Sequence, residues 1–159
     1  HTLRLGSTSY PVREVLRSSH PWAGTSPYAE LLARPHSADA PLEFATPTFF
    51  RRQGNNYPLP EPRLVFSSLV TRWNAYAPEP VPETVAQALT ERLTMRRLEL
   101  RSQSAEAHDR TVGCLGHVSY HLPQASPDEA RWLAALARFA FYSGVGAKTT
   151  LGFGRARSL

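Results

Sequence analysis

The chain has 159 residues, 42% hydrophobic and 19% charged, which is an ordinary globular balance for one domain or two small ones and excludes a disordered chain. Eighteen Lys+Arg against 13 Asp+Glu leave a net charge of +5 and a sequence pI near 9.9, a basic excess that points to an anionic partner. No apolar run approaches the roughly 18 residues of an ordinary membrane span, and one cysteine, Cys114, excludes an intrachain disulfide framework and a multi-Cys metal site.

The single cysteine fits a reducing, cytoplasmic home. Arg4, Arg13 and Arg17, with no long apolar core around them, do not read as a signal peptide. The chain begins at His1 rather than Met, so an upstream segment is expected. Seventeen of the basic residues are Arg and one is Lys, Lys148. The planar guanidinium fork suits phosphates and base edges.

Residues 2–6 alternate like a strand. Residues 18–27 hold Pro21, Gly24 and Pro27 and read as loop. Ser26 is placed to cap a short helix, with Pro27 at its first position and Leu31 and Leu32 inside it. Residues 41–50 read as a strand, and Pro47 within it argues for a sheet edge or a bulge. Residues 51–62 are polar and Pro-rich, hence loop. A helix is expected over about 62–76, where Val65, Leu69, Trp73 and Tyr76 recur at helical spacing beside Phe66 and Val70. Pro78, Pro80 and Pro82 end it, and a further helix is expected near 83–93.

Residues 94–103 and 111–122 read as a strand pair with the polar stretch 104–110 as its turn. Ser126-Pro-Asp-Glu129 opens a helix to about Tyr142, with an acidic first turn that suits the helix dipole. Trp132, Leu136 and Phe139 form one apolar stripe, and Leu133, Ala137 and Ala140 the next. The second half of the segment 143–157 alternates and closes the sheet as a last strand. Strand, helices, two strands, helix, strand is the βαββαβ order of an α+β, ferredoxin-like domain, the architecture of RNA-recognition modules, with inserted helices and loops.

The glycine-rich stretch 144–154 is the sharpest motif. Gly144, Gly146, Gly152 and Gly154 permit positive φ and close backbone approach. Exposed N–H groups, Lys148, Thr149 and Thr150 can cradle phosphates. The alternative is a helix cap and a tight turn, which alone accounts for one or two of the four glycines. A nucleotide P-loop is ruled out because Ala147 precedes Lys148 where glycine is needed, and a dinucleotide fingerprint because Thr149 stands at its third glycine. No cofactor and no metal are expected.

Arg51 and Arg52 follow Phe49-Phe50 and can hold phosphate beside a stacked base, or simply end a solvated strand. Arg96, Arg97 and Arg101 are candidates for an exposed sheet face, with alternation separating Arg96 from Arg97. His117 and His121 share a strand face roughly 13 Å apart, unsuited to one metal, and read as surface or core histidines. His36 and His108 read as solvated loop residues. His20, in the irregular Ser19-His-Pro-Trp-Ala-Gly24, is the candidate acid/base group, and Cys114 reads as a buried small hydrophobe. Trp73, Trp132, Phe66 and Phe139 read as core.

Ser143-Gly-Val-Gly-Ala-Lys-Thr-Thr-Leu-Gly-Phe-Gly-Arg155 resembles the C-terminal glycine-rich loop of the CRISPR-associated endoribonucleases that process precursor CRISPR RNA, members of the RAMP superfamily. Phe44-Ala-Thr-Pro-Thr-Phe-Phe-Arg51, Pro58-Leu-Pro60, Pro62 to Leu69, Trp73-Asn74 and His20-Pro-Trp-Ala-Gly24 resemble the same family, so the likeness covers most of residues 20–157. The resemblance implies two ferredoxin-like domains and metal-independent cleavage, in which a 2′-hydroxyl attacks the neighbouring phosphate and an N-terminal histidine moves the proton. It implies an RNA-backbone role for Gly144, Gly146, Lys148, Thr149, Thr150, Gly152, Gly154 and Arg155.

Residues 1–159 are too few for both domains, so they are read as the single C-terminal RNA-binding domain, without the N-terminal partner domain and its histidine. The catalytic group is therefore unassigned, with His20 as the candidate inside the chain. Expected partners are CRISPR repeat RNA, precursor and processed, the protein's own N-terminal domain, and a CRISPR effector complex or a homodimer, with no membrane. The rival readings are a non-catalytic RAMP-type scaffold subunit, a self-sufficient ribonuclease using His20 or His117 with Lys148, and a purely structural loop.

Overall fold

A computed structural model of the protein describes residues 1–5, 8–15, 20, 22–107 and 109–159. The elements in chain order are β1 (Thr2–Leu5), β2 (Thr8–Pro11), α1 (Tyr28–Ala33), β3 (Asp39–Thr48), β4 (Phe50–Arg52), β5 (Asn55–Tyr57), α2 (Pro62–Tyr76), α3 (Glu83–Glu91), β6 (Thr94–Ala107), β7 (Asp109–His121), α4 (Pro127–Ser143), a short 3₁₀ helix (Thr149–Leu151) and β8 (Ala156–Ser158). β3, α2, β6, β7, α4 and β8 form the βαββαβ frame, and α1, the β4–β5 hairpin and α3 are added to it. The four long-range strands make one antiparallel sheet in the order β6-β7-β3-β8, the ferredoxin-like arrangement.

Alternation along β3 sorts the sheet into two faces. Leu42 and Phe44, with Val118 and Tyr120 of β7, point to the helices and are buried. Val65, Phe66, Leu69 and Trp73 of α2 and Trp132, Leu133, Leu136 and Phe139 of α4 close the core over them. The Trp73 ring meets Trp132 and Phe139 edge to face at 5.5 and 5.2 Å. The opposite face is polar: register places Arg157, Glu43, His117 and Glu99 in one row across all four strands. Among the described residues, no helix is long and apolar enough to cross a membrane.

Local chemistry explains several element ends. Ser126 Oγ accepts the Glu129 N–H while Glu129 Oε2 accepts the Ser126 N–H, a capping box at the start of α4. Gly144 ends α4 at φ 65°, where a side chain is disfavoured. Pro62 stands in the first turn of α2. The linker to α3 is tied back, Trp73 Nε1 donating to Glu79 O at 2.8 Å and Val81 N to Asn74 Oδ1 at 2.8 Å.

Several expectations are corrected. Residues 51–57 are not plain loop: β4 and β5 pair across Gln53-Gly54, both at positive φ, the geometry of a tight hairpin turn. Residues 104–107 and 109–110 are strand rather than turn, because β6 and β7 stay paired out to Ala107↔Asp109. The reading of His108 lies outside the described residues. Of the two readings of Pro47 the bulge holds, in the register shift between Phe44 and Thr48, and the sheet edge falls because β3 is an inner strand. The cap position of α1 is Pro27, without a side-chain bond, rather than Ser26. α3 ends at Glu91, two residues short of the expected end, and Tyr76 is 77% exposed rather than core. The last strand is only β8, since a 3₁₀ turn takes up residues 149–151.

Candidate nucleic-acid interface

The glycine-rich loop runs from the C-terminus of α4 to β8, and the Thr46–Phe50 segment is its seat. Gly154 N donates to Pro47 O at 3.1 Å, Ala147 N to Phe49 O at 2.8 Å, and Arg155 N to Thr46 Oγ1 at 2.9 Å. Val145 N donates to Gly154 O at 2.8 Å and closes the loop on itself. The buried Phe49 and Phe153 rings meet edge to face at 5.3 Å beneath it. The two segments that carry the sequence motifs are therefore one structure.

Close approach explains three of the four glycines. A Cβ at Gly154 would stand 1.9 Å from Val145 O, one at Gly146 2.3 Å from Phe49 O, and one at Gly144 2.9 Å from the Thr149 methyl. Gly152 faces open space and is constrained only by its φ of +88°. The structural demand thus extends beyond the one or two glycines expected for a cap and a turn. The loop amides also differ from expectation. The N–H groups of Gly144, Val145, Gly146, Ala147, Leu151, Gly152, Gly154 and Arg155 all donate within the protein.

Lys148 caps the 3₁₀ helix at φ 55°, a left-handed conformation uncommon for a residue with a side chain. Thr150 and Arg155 are exposed, and Thr149 turns inward. The residue that sequence reading missed is Arg72 of α2. Its Nη1 donates to Gly144 O at 2.8 Å and Ser68 Oγ at 3.1 Å, and its Nη2 to Gly146 O at 2.6 Å and Thr149 Oγ1 at 3.4 Å. Ser68 Oγ in turn accepts the Gly146 N–H at 3.2 Å. Burial lowers the Arg72 pKa from its ordinary value.

The other candidates lie at varied distances from this centre. Trp22, two residues from His20, packs against the far end of the loop. The Arg155 and Arg157 guanidinium carbons stand 4.3 and 4.4 Å from its ring centroid, and Arg155 Nη2 donates to Trp22 O at 3.3 Å. The Trp22 N–H donates to His20 Nδ1 at 3.1 Å. Arg51 and Arg52 follow the seat directly on β4. Arg51 is exposed, while Arg52 pairs with Glu61 at 3.1 Å and stacks over Tyr57, so Arg52 is already engaged. The Tyr57 hydroxyl donates to Glu61, and that carboxylate raises the Tyr57 pKa.

His117 and His121 lie on the polar sheet face, away from the loop's seat. His121 Nδ1 is 2.9 Å from Asp39 Oδ1, which Arg96 also reaches at 3.3 Å. Arg97 pairs with Glu99 of the same strand. Cys114 is buried, as expected, and burial pushes its thiol up to about 11.

A four-stranded antiparallel sheet in this order, with helices on one face, defines a ferredoxin-like domain. Residues 42–156 match the family model described as CRISPR-associated endoribonuclease Cas6, and the chain belongs to that family. A CRISPR-associated endoribonuclease Cas6 of Mycobacterium tuberculosis (strain CDC 1551 / Oshkosh) is 33% identical over 128 residues, 79% of this chain and 40% of that protein. A solved Cas6 product complex is 55% identical at a TM-score of 0.94, covering 99% of this chain and 66% of that one. Thermus thermophilus Cas6 is 32% identical at a TM-score of 0.82, covering 88% of this chain and 61% of that one. The chain thus spans 40% of its Mycobacterium relative and less than two thirds of the Thermus protein.

Proposed function

We propose that this chain is the C-terminal, RNA-holding domain of a metal-independent endoribonuclease that processes precursor CRISPR RNA at its repeats. The observation that carries the reading is the loop itself. A basic segment, Lys148 to Arg155, is pinned at both ends to the Thr46–Phe50 segment and from behind by Arg72, so its charges meet an RNA backbone at a reduced ordering cost. Because most loop amides are already bonded, side chains do the holding. Lys148 offsets phosphate charge, Thr150 offers a hydroxyl, and Arg155 and Arg51 extend the basic surface. The glycines give this loop its shape. The solved Cas6 product complex supports an RNA ligand of this kind.

In the complete enzyme the ribose 2′-hydroxyl attacks the adjacent phosphorus as it gives up its proton. The bond from phosphorus to the 5′-oxygen breaks, and that oxygen takes a proton and leaves as a hydroxyl, with a 2′,3′-cyclic phosphate on the other product. This chain's part is to hold the phosphate run and stabilise its charge. The proton-moving histidine belongs to an N-terminal domain. The alternative within this chain is His20, whose Nδ1 accepts the Trp22 N–H at 3.1 Å.

The test is a salt titration of repeat-RNA binding by the chain and by Lys148→Ala. Loss of one phosphate contact weakens binding about tenfold at 0.1 M salt and lowers the slope of log K against log salt by about one. Unchanged affinity and slope, with the melting temperature retained, would remove Lys148 from the interface.

A further inference from the structure

The loop begins at an electrostatically unfavourable place. α4 is 17 residues long, and its C-terminus carries the negative end of the helix dipole, about half an elementary charge. Nucleic-acid phosphates favour the opposite end of a helix. The last turn of α4 has no basic residue to offset this, and the carbonyls of Gly144 and Gly146 add their own negative ends at the exit.

Arg72 meets both difficulties from another helix. Its two Nη atoms carry four N–H bonds and face four acceptors, Gly144 O, Ser68 Oγ, Gly146 O and Thr149 Oγ1. The two carbonyls, two residues apart, are turned toward α2 and held by one fork. Lysine, a single ammonium, presents no such planar fork. We propose that Arg72 is a positioning residue for RNA binding: it neutralises the C-terminal end of α4 and turns the Gly144 and Gly146 carbonyls inward, so that the loop accepts phosphate where a bare helix terminus would repel it. The proposal rests on reading the loop as the RNA-binding site.

The experiment compares the wild-type chain with Arg72→Gln, Arg72→Lys and Ser68→Ala. Repeat-RNA affinity is measured at several salt concentrations, well below each melting temperature. Arg72→Gln, which loses the charge, is expected to weaken binding about tenfold and to flatten the salt dependence. Arg72→Lys keeps the charge and loses the fork, so its salt slope returns to wild type while affinity recovers only in part. Ser68→Ala keeps the charge and loosens Gly146, giving a smaller loss at an unchanged slope. It decides the positioning half of the proposal if Arg72→Gln does not fold, and Arg72→Lys then decides the rest. Variants that melt earlier yet bind like wild type when folded would make Arg72 a purely structural anchor and overturn the proposal. A wild-type chain with no salt-dependent binding would instead overturn the reading of the loop itself, and the role of Arg72 with it.

Discussion

Gly152 and Gly154 are two residues apart and carry opposite constraints. Alanine at 154 drives a Cβ to 1.9 Å from Val145 O, backbone that cannot move without opening the loop. Alanine at 152 meets open space and bears only the left-handed φ. Gly154→Ala is expected to cost about 4 kcal/mol or more of unfolding free energy, and Gly152→Ala about 1–2 kcal/mol. Chemical denaturation measures both, and equal small losses would contradict the close packing described. The glycines were legible as special from their number and from Lys148 between them. Their contacts were not, because Phe49 and Val145 become neighbours only when the strand, the loop and the helix assemble. Arg72 was invisible for the same reason: its loop partners lie 72 to 77 residues away in sequence, and along α2 it looks like one more polar helix position.

Strand β7 carries two acidic groups that folding keeps protonated. Burial pushes the Cys114 thiol from about 9 up to about 11. Burial also raises the hydroxyl of Tyr120, which donates to Pro60 O at 2.7 Å, well above its ordinary value near 10. In the unfolded chain both ionise at their ordinary values, so above those values the unfolded state binds fewer protons than the native one. Stability therefore falls as pH rises past about 9, by at most about 1.4 kcal/mol per pH unit for each group. Denaturation midpoints from pH 8 to 11 should decline in wild type. In Cys114→Ala the decline should start about a unit later, where Tyr120 takes over, and an identical profile in the variant would remove Cys114 as the cause. The burial of Cys114 was legible from its place in a strand. The length of β7 was not, because the sequence 104–110 is polar enough to look like a turn, and the pairing that keeps residues 104–107 and 109–110 extended is between strands. The β4–β5 hairpin was missed because Gln53-Gly54 was read as part of a Pro-rich loop rather than as a two-residue turn.

At the scale of the molecule, the order of strands and helices carried the ferredoxin-like frame. Helical spacing in α2 and α4 and the capping signal at Ser126 set the two helices, and alternation set the inner strands. What composition could not show is how the pieces meet: the Thr46–Phe50 segment beneath the glycine-rich loop, Trp22 against Arg155 and Arg157, and the charged row from Arg157 to Glu99 on the other face. The central claim is that this chain holds CRISPR repeat RNA and leaves the proton transfer to another domain. The most direct test incubates it with repeat RNA from its own genome, in EDTA, at two salt concentrations, and reads binding and cleavage from one gel. Salt-sensitive binding with the RNA intact is the expected result. Site-specific cutting in EDTA would contradict the claim by placing the proton-moving group among these 159 residues, with His20 the first to replace, and absence of binding at both salt concentrations would contradict the RNA-holding role itself.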